Sequence, residues 1–407
     1  MIYPATDHHA EAAIARAAAG HPAEPLRLEI PRPWARPPEA LCLEVTLQPR
    51  PGAGANALEA LIGEACFPMD DPVALLPVEI PKPWGRELWF TGVEARGEAQ
   101  VAGSGGTLAL GTWLSLAPAR SVGRQPLVLL KILDPRPEPV LGELYLEVHE
   151  AKREVYVVTA IDPVAWPDGR GRIRFGVNQT ARAAEGSDDA FRRSFMDALA
   201  AYERAQAAVE SRAEQPADFD TAKAAEHASR EALAAEERIA REATLKFTDE
   251  RTLSVGDVIS VPTWVPHSLQ QGVQVVEFQT PNYERHILSS SQKVLTQTHW
   301  DSERAVQGMH LDPPATVQPE ILSDGVERIV AFEDFGVWRV QSRKSLTPPS
   351  GLPYTVVFCI EGSLHLQGPG GSLELGSGEA ALLPCASAGY PIGSVDDACY
   401  LLAAPGL

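Results

Sequence analysis

The chain has 407 residues, and its 54 Asp and Glu against 35 Lys and Arg give a formal net charge of -19 at pH 7. So acidic a chain lacks the basic surface that nucleic acid or an anionic membrane requires, and we expect neither as a partner. A hydrophobic fraction of 44% and a charged fraction of 22% are typical of a globular protein. The length accommodates two or three domains.

Targeting signals and cysteines narrow the class of protein further. No apolar run reaches the roughly 20 residues that span a bilayer, and the first residues lack the basic and apolar segments of a secretory signal. We therefore predict no transmembrane helix and a cytoplasmic location. The five cysteines are widely spaced and form no C-x-x-C pair, which disfavours a disulfide scaffold and a thiolate zinc site. Any metal ligands should be His and carboxylate.

The N-terminal region differs in amino-acid composition from the rest of the chain. Residues 1–78 are rich in Ala and Pro, and we interpret them as an N-terminal extension that begins with a short helix. From Pro77 onward the chain consists of short apolar runs bounded by Gly, Pro and Asp, such as Leu127 to Ile132. Runs of this length and spacing are typical of strands in a β-sandwich or barrel. They predict a β domain that begins near residue 79.

A helical insertion interrupts this β pattern over residues 183–245, where Ala, Glu and Arg dominate. Four apolar residues recur there at i, i+4, i+8 and i+11, which is the spacing of one face of an amphipathic helix: Phe191, Phe195, Leu199 and Tyr202. The apolar stripe is narrow and interrupted, which disfavours a coiled-coil partner site. We interpret the segment as a helical hairpin inserted in the β domain.

An internal repeat indicates two related β units. The segment LSVGDVISVP at 253–262 shares a pattern with LGSGEAALLP at 375–384: apolar residue, two small or apolar residues, Gly, acid, apolar strand, Pro. The offset is 375 - 253 = 122 residues. We predict two jelly-roll units in tandem, the first formed by residues 79–182 and 246–312 and the second by residues 313–407.

Four side chains form the pattern that points most directly to chemistry: Glu147, His149, Glu154 and His267. On a strand, Glu147 and His149 would face the same side, and Glu154 would begin the next strand. His267 comes much later, after a Gly-Asp turn and a short strand. Two imidazoles with one or two carboxylates suit zinc or another divalent first-row metal and leave a position for water or substrate. We predict a metal site at these residues.

These residues belong to an ordered series of motifs that resembles the type I phosphomannose isomerases. In chain order the motifs are Pro81-Lys-Pro-Trp-Gly85, Leu130-Lys-Ile-Leu-Asp134, Glu147-Val-His149, Lys152-Arg-Glu154, Gly256-Asp257 with Pro266-His267, Glu277-Phe-Gln279 and Arg285. The resemblance extends over roughly residues 77 to 407, and the order of the motifs is more specific than any one of them. Members of this family are zinc-dependent cupins. The resemblance therefore implies a mainly β fold of tandem cupin (jelly-roll) β-sandwich domains with a helical insertion.

The resemblance also implies a zinc ligand set. The family's Gln-x-His pair, Glu and late His correspond to Glu147, His149, Glu154 and His267, so that Glu147 replaces the family's Gln. An additional carboxylate makes the site more anionic. It should bind a dication more tightly and weaken the Lewis acidity of that dication toward substrate oxygens.

Five further residues are candidates for the site. The resemblance matches Lys152 and Arg285 to the family's active-site Lys and Arg, and they are predicted to be catalytic. The family has a Ser-Asp pair a few residues before its Arg that this chain lacks, so the acidic role is either missing or moved to Glu284. Apart from the resemblance, Lys293 is a candidate phosphate contact or a surface lysine, and Trp84 packs either under the site or in the core.

The function that the resemblance implies is an aldose-ketose isomerase interconverting mannose 6-phosphate and fructose 6-phosphate, with a small-molecule sugar phosphate as partner. The chemistry needs a base that moves a proton between C1 and C2 and a positive group that stabilises the enediolate oxygen. Two alternatives stay open: a metal-holding cupin that binds a sugar or sugar acid without isomerising it, and an isomerase of an unphosphorylated sugar. Lys152 and Arg285 together favour an enzyme. The sequence leaves the oligomeric state open.

Overall fold

The computed structural model is mainly β, as the sequence predicts, and most of its strands pair antiparallel. An N-terminal sheet precedes two sandwich units. The helices in the described residues include none that is long and apolar enough to span a membrane. The structure describes residues 2–4, 7–51, 53, 57–213, 223–292, 294, 297, 299–316, 318–342, 345–348, 351–394 and 397–406.

The Ala- and Pro-rich N-terminal segment folds as a sheet with one helix packed against it. Its elements are β1 (Ile2–Pro4), α1 (Asp7–Ala18), β2 (Pro25–Arg32), β3 (Glu39–Pro49), β4 (Leu58–Ile62) and β5 (Ala65–Pro68). The strand order follows the chain, and α1 packs on β3. Leu28 and Ile30 alternate with exposed residues along β2, so one face of this sheet is buried in the core.

The first sandwich unit contains the candidate site. The next strands are β6 (Val73–Leu76), β7 (Val78–Lys82), β8 (Gly85–Trp89), β9 (Val93–Glu94), β10 (Gly97–Glu98), β11 (Gln100–Gly103), β12 (Gly106–Ala109), β13 (Leu129–Pro135), β14 (Leu146–Val148), β15 (Glu154–Ile161), β16 (Gly171–Val177), β17 (Thr248–Leu253), β18 (Val258–Val261), β19 (His267–Leu269), β20 (Val273–Gln279) and β21 (His286–Ser289). A six-stranded sheet, β18-β15-β20-β13-β8-β7, faces a five-stranded sheet, β17-β16-β19-β14-β21. Buried side chains from both sheets form one apolar layer between them.

The helices include the predicted insertion. They are α2 (Leu110–Leu116), α3 (Ala119–Val122), α4 (Gln179–Ala184), α5 (Asp188–Ala213), α6 (Lys223–Leu245) and α7 (Ser302–Gly308). Helices α5 and α6 pack against each other, as the hairpin interpretation expects. Phe191, Phe195 and Leu199 are fully buried, and they belong to a cluster with Val148 and Phe247 on the outer face of the five-stranded sheet. The apolar stripe read from the sequence is therefore confirmed.

The second sandwich unit is formed mainly by the C-terminal strands. They are β22 (Glu320–Ser323), β23 (Val326–Ala331), β24 (Phe335–Ser342), β25 (Tyr354–Glu361), β26 (Ser363–Gln367), β27 (Ser372–Gly376), β28 (Ala380–Pro384), β29 (Ile392–Ser394) and β30 (Ala398–Pro405), with a 3-10 turn at Cys385–Ser387. A nine-stranded sheet, β12-β11-β6-β28-β25-β30-β24-β23-β22, is accompanied by the three-stranded sheet β27-β26-β29. Strands β6, β11 and β12 thus join the C-terminal sheet from far along the chain. The domain boundaries drawn from the sequence stay a prediction.

The repeated sequence pattern forms the same turn in both units. Gly256 and Gly378 adopt φ angles of +91° and +82°, which glycine tolerates without strain. The acidic side chain after each glycine accepts a backbone N–H at 2.7 Å, Asp257 from Ser254 and Glu379 from Gly376. The predicted fold class, two tandem jelly-roll units with a helical insertion, is confirmed.

One apolar core joins the two units and the N-terminal sheet. Val155 and Phe278 face it from the back of the six-stranded sheet, and Val356 and Leu401 from the nine-stranded sheet. Leu28 of the N-terminal sheet belongs to the same cluster. The two units therefore lie back to back. One face of the six-stranded sheet is covered by this shared core, and its other face, toward the five-stranded sheet, can carry polar groups.

Candidate metal centre and substrate cavity

The candidate site lies on that inward face because alternate residues of a strand point to the same side. In register, Lys131 of β13 pairs with Glu277 of β20, and Glu277 pairs with Tyr156 of β15. The facing sheet contributes Glu147 of β14, which pairs directly with His267 of β19. The charged residues of two sheets are therefore directed into one cavity.

The four predicted metal ligands come together in this cavity. The ligand atoms of Glu147, His149 and His267 all lie within 4.8 Å of one another. The Glu154 carboxylate lies between the two imidazoles, with Oε1 3.3 Å from His149 Nε2 and Oε2 3.3 Å from His267 Nε2. Glu147 Oε1 is 3.7 Å from His149 Nε2. These separations suit four ligands around one small cation.

The hydrogen bonding of these side chains fits a divalent metal. His267 Nδ1 lies 2.9 Å from the carbonyl oxygen of Val265, and donation to it leaves the lone pair of the ring on Nε2, directed to the cluster. Among the described residues, Nε2 of His149, Nε2 of His267 and Oε2 of Glu147 are buried without a hydrogen-bond partner. Buried polar atoms are normally hydrogen-bonded, and imidazole nitrogens with carboxylates are donors that zinc accepts.

The charges of the cluster are set by burial and by neighbouring groups. Burial lowers the pKa of His149, and the Lys152 ammonium lowers it further, which keeps the imidazole neutral and able to bind a metal. Burial raises the pKa of Glu154, but Lys152 and His149 outweigh it and hold that pKa well below its usual range. Burial and the Glu154 carboxylate raise the pKa of Glu277 well above its usual range. An ionised and a protonated carboxyl thus lie side by side.

The two predicted catalytic cations border the cluster. Lys152 Nζ is 2.5 Å from Glu154 Oε1. Burial lowers the pKa of Lys152, but the surrounding carboxylates, with Glu154 first, raise it above its usual range, so the amine is protonated at neutral pH. Arg285 Nη1 is 3.9 Å from Glu147 Oε2, and its guanidinium lies 4.8 Å from the centre of the Tyr145 ring. The structure brings both residues to the four candidate metal ligands.

Glu284 lines the cavity, but its carboxylate is engaged with the loop between two candidate ligands. It accepts the backbone N–H groups of Glu150 and Ala151 at 3.0 Å and lies 3.1 Å from His286 Nε2. These contacts fasten the loop that follows His149. Glu284 is therefore placed to position the loop between the candidate ligands His149 and Glu154.

Trp84 and Lys293 complete the predicted set. Trp84 is 2% exposed, belongs to the core between the sheets and also lines the cavity, and its role in binding a substrate stays a prediction. Lys293 lies outside the described residues. Its role as a phosphate contact stays a prediction.

Trp264 links the segment before His267 to His149 and His286, and the sequence did not identify it as a residue of the site. Its φ of +61° is left-handed, a conformation that costs a non-glycine residue about 1–3 kcal/mol unless its surroundings enforce it. Its N–H donates to the carbonyl oxygen of His149 at 2.7 Å, and its ring stacks on His286 at 5.7 Å between centroids. The segment that leads into His267 is thereby fixed against His149.

A second group of charged residues, which the sequence interpretation did not assign, lines the far end of the cavity. Glu87 lies 3.0 Å from Lys82 Nζ and accepts the indole N–H of Trp89 at 2.6 Å. Lys131 Nζ donates to Gln279 Oε1 at 2.8 Å. The signal for Lys131 was present in the sequence, since a lone charge in an apolar strand is costly unless it is paired or used.

Comparison with known proteins shows the fold of the chain. Neither the protein-family models nor the curated proteins match its sequence. A zinc-bound mannose 6-phosphate isomerase is 14% identical with a TM-score of 0.61, over 83% of this chain and 100% of that one. The enzyme from Bacillus subtilis is 14% identical with a TM-score of 0.54, over 82% and 99%. The Salmonella typhimurium enzyme, bound to its substrate and zinc, is 13% identical with a TM-score of 0.58, over 83% and 100%. The chain shares the fold of these cupin-type isomerases.

Proposed function

We propose that the protein is an aldose-ketose isomerase that interconverts mannose 6-phosphate and fructose 6-phosphate. The observation that carries the proposal is the convergence of four ligand-type side chains with two cations, the buried Lys152 and the partly buried Arg285. The fold shared with mannose 6-phosphate isomerases supports it. The cytoplasmic location stays a prediction from the sequence.

We infer that Glu147, His149, Glu154 and His267 hold a zinc ion or another divalent first-row metal. When bound, such a metal supplies positive charge that stabilises the enediolate oxygen of the isomerisation. The unpartnered Nε2 atoms of the two histidines support this assignment.

The remaining steps belong to side chains of the cavity. The protonated Lys152 ammonium donates hydrogen bonds to substrate oxygens, and Arg285, held over Tyr145, binds a second oxygen. Glu277 lies on β20, the strand next to that of Glu154, and its raised pKa makes it the candidate proton donor.

A binding protein that holds a metal and a sugar without isomerising it is the second candidate. Glu284 favours it, because its carboxylate is engaged with the amides of Glu150 and Ala151 rather than available to a substrate. Glu147 favours it as well, since an anionic ligand weakens the Lewis acidity of a bound cation.

A coupled assay of mannose 6-phosphate conversion tests the proposal. Protein stripped with a chelator should be inactive and regain turnover with zinc. His267→Ala should bind less zinc and lose turnover by about a hundredfold or more, since a metal ligand is removed. His365→Ala, which removes an imidazole from β26 of the second unit, is the matched control and should retain both. Stoichiometric zinc without turnover would exclude this isomerase and leave the binding protein.

A further inference from the structure

Guanidinium groups and aromatic rings alternate in a row that leads from one sheet of the first unit to the other. Arg96, in the turn between β9 and β10, has its Cζ 4.7 Å from the ring centroid of Trp89 and 3.7 Å from that of Tyr283. Arg285 Cζ lies 5.8 Å from the ring centroid of Tyr283 and 4.8 Å from that of Tyr145. Trp89 ends β8 of the six-stranded sheet, and Tyr145 precedes β14 of the five-stranded sheet. Tyr283 is thus the ring in the middle of the row.

Tyr283 lies where the cavity meets solvent. It is 50% exposed, whereas the other described residues that line the cavity are buried or partly buried. The cavity has a volume of about 50 Å³, which is room for a few water molecules. Sites that enclose a small-molecule ligand measure about 300–1,000 Å³. A sugar or its phosphate therefore needs a wider opening than this arrangement of side chains leaves.

The backbone on both sides of Tyr283 is anchored. The N–H of Thr280 donates to the carbonyl oxygen of Arg153, and the Thr280 hydroxyl accepts the N–H of Arg153, both at 3.0 Å. Glu284 accepts the amides of the loop that follows His149. Between these anchors, Tyr283 makes no hydrogen bond to any described residue.

The polar contacts of the Tyr283 side chain are the two guanidinium groups alone. Rotation about χ1 of Tyr283 would break its cation–π contacts with Arg96 and Arg285 and no hydrogen bond. Contacts of this kind are weak at exposed sites, and exposed side chains change rotamer within nanoseconds. The ring can therefore leave the cavity without any movement of the anchored backbone.

We propose that Tyr283 is a gate that controls access to the candidate metal ligands. With its ring on the guanidinium groups of Arg96 and Arg285 the cavity is closed, and rotation of the ring into solvent admits a metal ion and a sugar. The identity of the metal and the sugar rests on the proposed function, whereas the gate does not. A gate changes the rates of entry and exit by the same factor and leaves the affinity unchanged.

Stopped-flow kinetics of zinc binding test the gate. Tyr283→Ala should speed zinc uptake and zinc release alike by about fivefold to thirtyfold, the population factor of two cation–π contacts, at unchanged zinc affinity. Tyr283→Phe keeps the ring and should restore the slow rates. Tyr390→Ala, the same change at a tyrosine of the second unit that is 36% exposed, is the matched control. Unchanged rates in Tyr283→Ala, or a weaker affinity at an unchanged rate of uptake, would overturn the gate.

A second measurement uses the protein without metal and so separates the gate from the proposed metal centre. His149 is 1% exposed, and its Nε2 faces Glu147 and Glu154 of the cavity lining. Diethyl pyrocarbonate, which acylates neutral imidazole, should modify His149 faster in Tyr283→Ala by the same factor, as measured by mass spectrometry of the peptide. Faster modification in a protein that binds no zinc would establish the gate and reject the metal centre.

A variant of Arg96 keeps the test decisive if Tyr283→Ala does not fold. Arg96→Met removes one of the two guanidinium groups from the Tyr283 ring and should speed the modification of His149 by about twofold to fivefold. Modification of His149 at the wild-type rate in Arg96→Met and in Tyr283→Ala would overturn the gate, whether or not the protein binds zinc.

Discussion

Glu147 occupies the position at which the resemblance implies a glutamine. Its Oε2 is buried without a hydrogen-bond partner among the described residues. Burial raises the pKa of Glu147, but its cationic neighbours Arg285 and Lys152 help to outweigh burial and lower that pKa. An anionic ligand strengthens the hold on a dication and reduces the positive charge available to a substrate oxygen.

We therefore expect Glu147→Gln to bind zinc about tenfold more weakly and to turn over faster per bound zinc. Competition with a chelating dye measures the zinc affinity, and the coupled assay at saturating zinc measures kcat. A variant that binds zinc as tightly as the wild type would show that Glu147 is not a ligand. Asp168→Asn, a change of the same kind in an exposed loop, is the control.

Glu87 gives a prediction about stability and pH. Burial raises its pKa, but Lys131 and Lys82 outweigh burial and lower the pKa to about 2. A carboxyl with a lowered folded-state pKa stabilises the fold above its unfolded pKa, about 4.5, and loses that effect as the pH falls through about 2. The difference corresponds to about 3 kcal/mol at neutral pH. In urea unfolding at pH 7, Glu87→Gln should have a lower free energy of unfolding than the wild type. The difference between the two proteins should shrink below pH 4.5. A difference that does not depend on pH would contradict this prediction.

Some residues of the candidate site could be predicted from the sequence, and others could not. Glu147 and His149 could be read from spacing alone, because alternate residues of one strand share a face. Lys131 could have been read as a lone charge in an apolar strand. Lys82 and Arg96 could not, because their approach to Trp89 depends on how β7 and β8 pair and on the turns after them.

The loop that follows β14 allows a test of whether Glu284 positions the candidate metal ligands. Glu284→Ala removes the acceptor of two loop amides, and zinc affinity should fall by about tenfold to a hundredfold because the loop positions His149 and Glu154. Glu284→Gln keeps an acceptor and should lose less. If Glu284 binds substrate instead, KM will rise in Glu284→Ala and zinc affinity will not change.

Helix α5 was predictable because its pattern is local. Leu199 is fully buried against the five-stranded sheet, so Leu199→Ala should cost about 2–5 kcal/mol of unfolding free energy. Arg193→Ala, on the exposed face of the same helix, should change it by less than about 0.5 kcal/mol. Chemical denaturation of both variants measures the contrast, and equal costs would mean that the helix packs by another face.

For the whole molecule, the sequence predicts two related units but not their back-to-back packing. The repeat at offset 122 is visible because it lies in short segments, whereas the shared core joins residues as distant as Leu28 and Leu401. The long-range pairing of β6 with β28 leaves no local pattern.

The two sandwich units differ in what they carry. Among the described residues, the group of ligand-type side chains close enough to hold a metal lies in the first unit, at Glu147, His149 and His267. Both units contribute to the shared core.

The pairing of β6 with β28 also has a consequence for synthesis of the chain. Leu75 pairs with Ala380, 380 - 75 = 305 residues later. At about 5–20 residues per second, the ribosome takes about 15–60 s to supply that partner. One edge of β6 stays open for that time, a hazard for aggregation and a source of slow folding. Ribosome-bound chains that end before residue 380 should therefore be cut by protease near residues 73–76, where the released full-length protein resists.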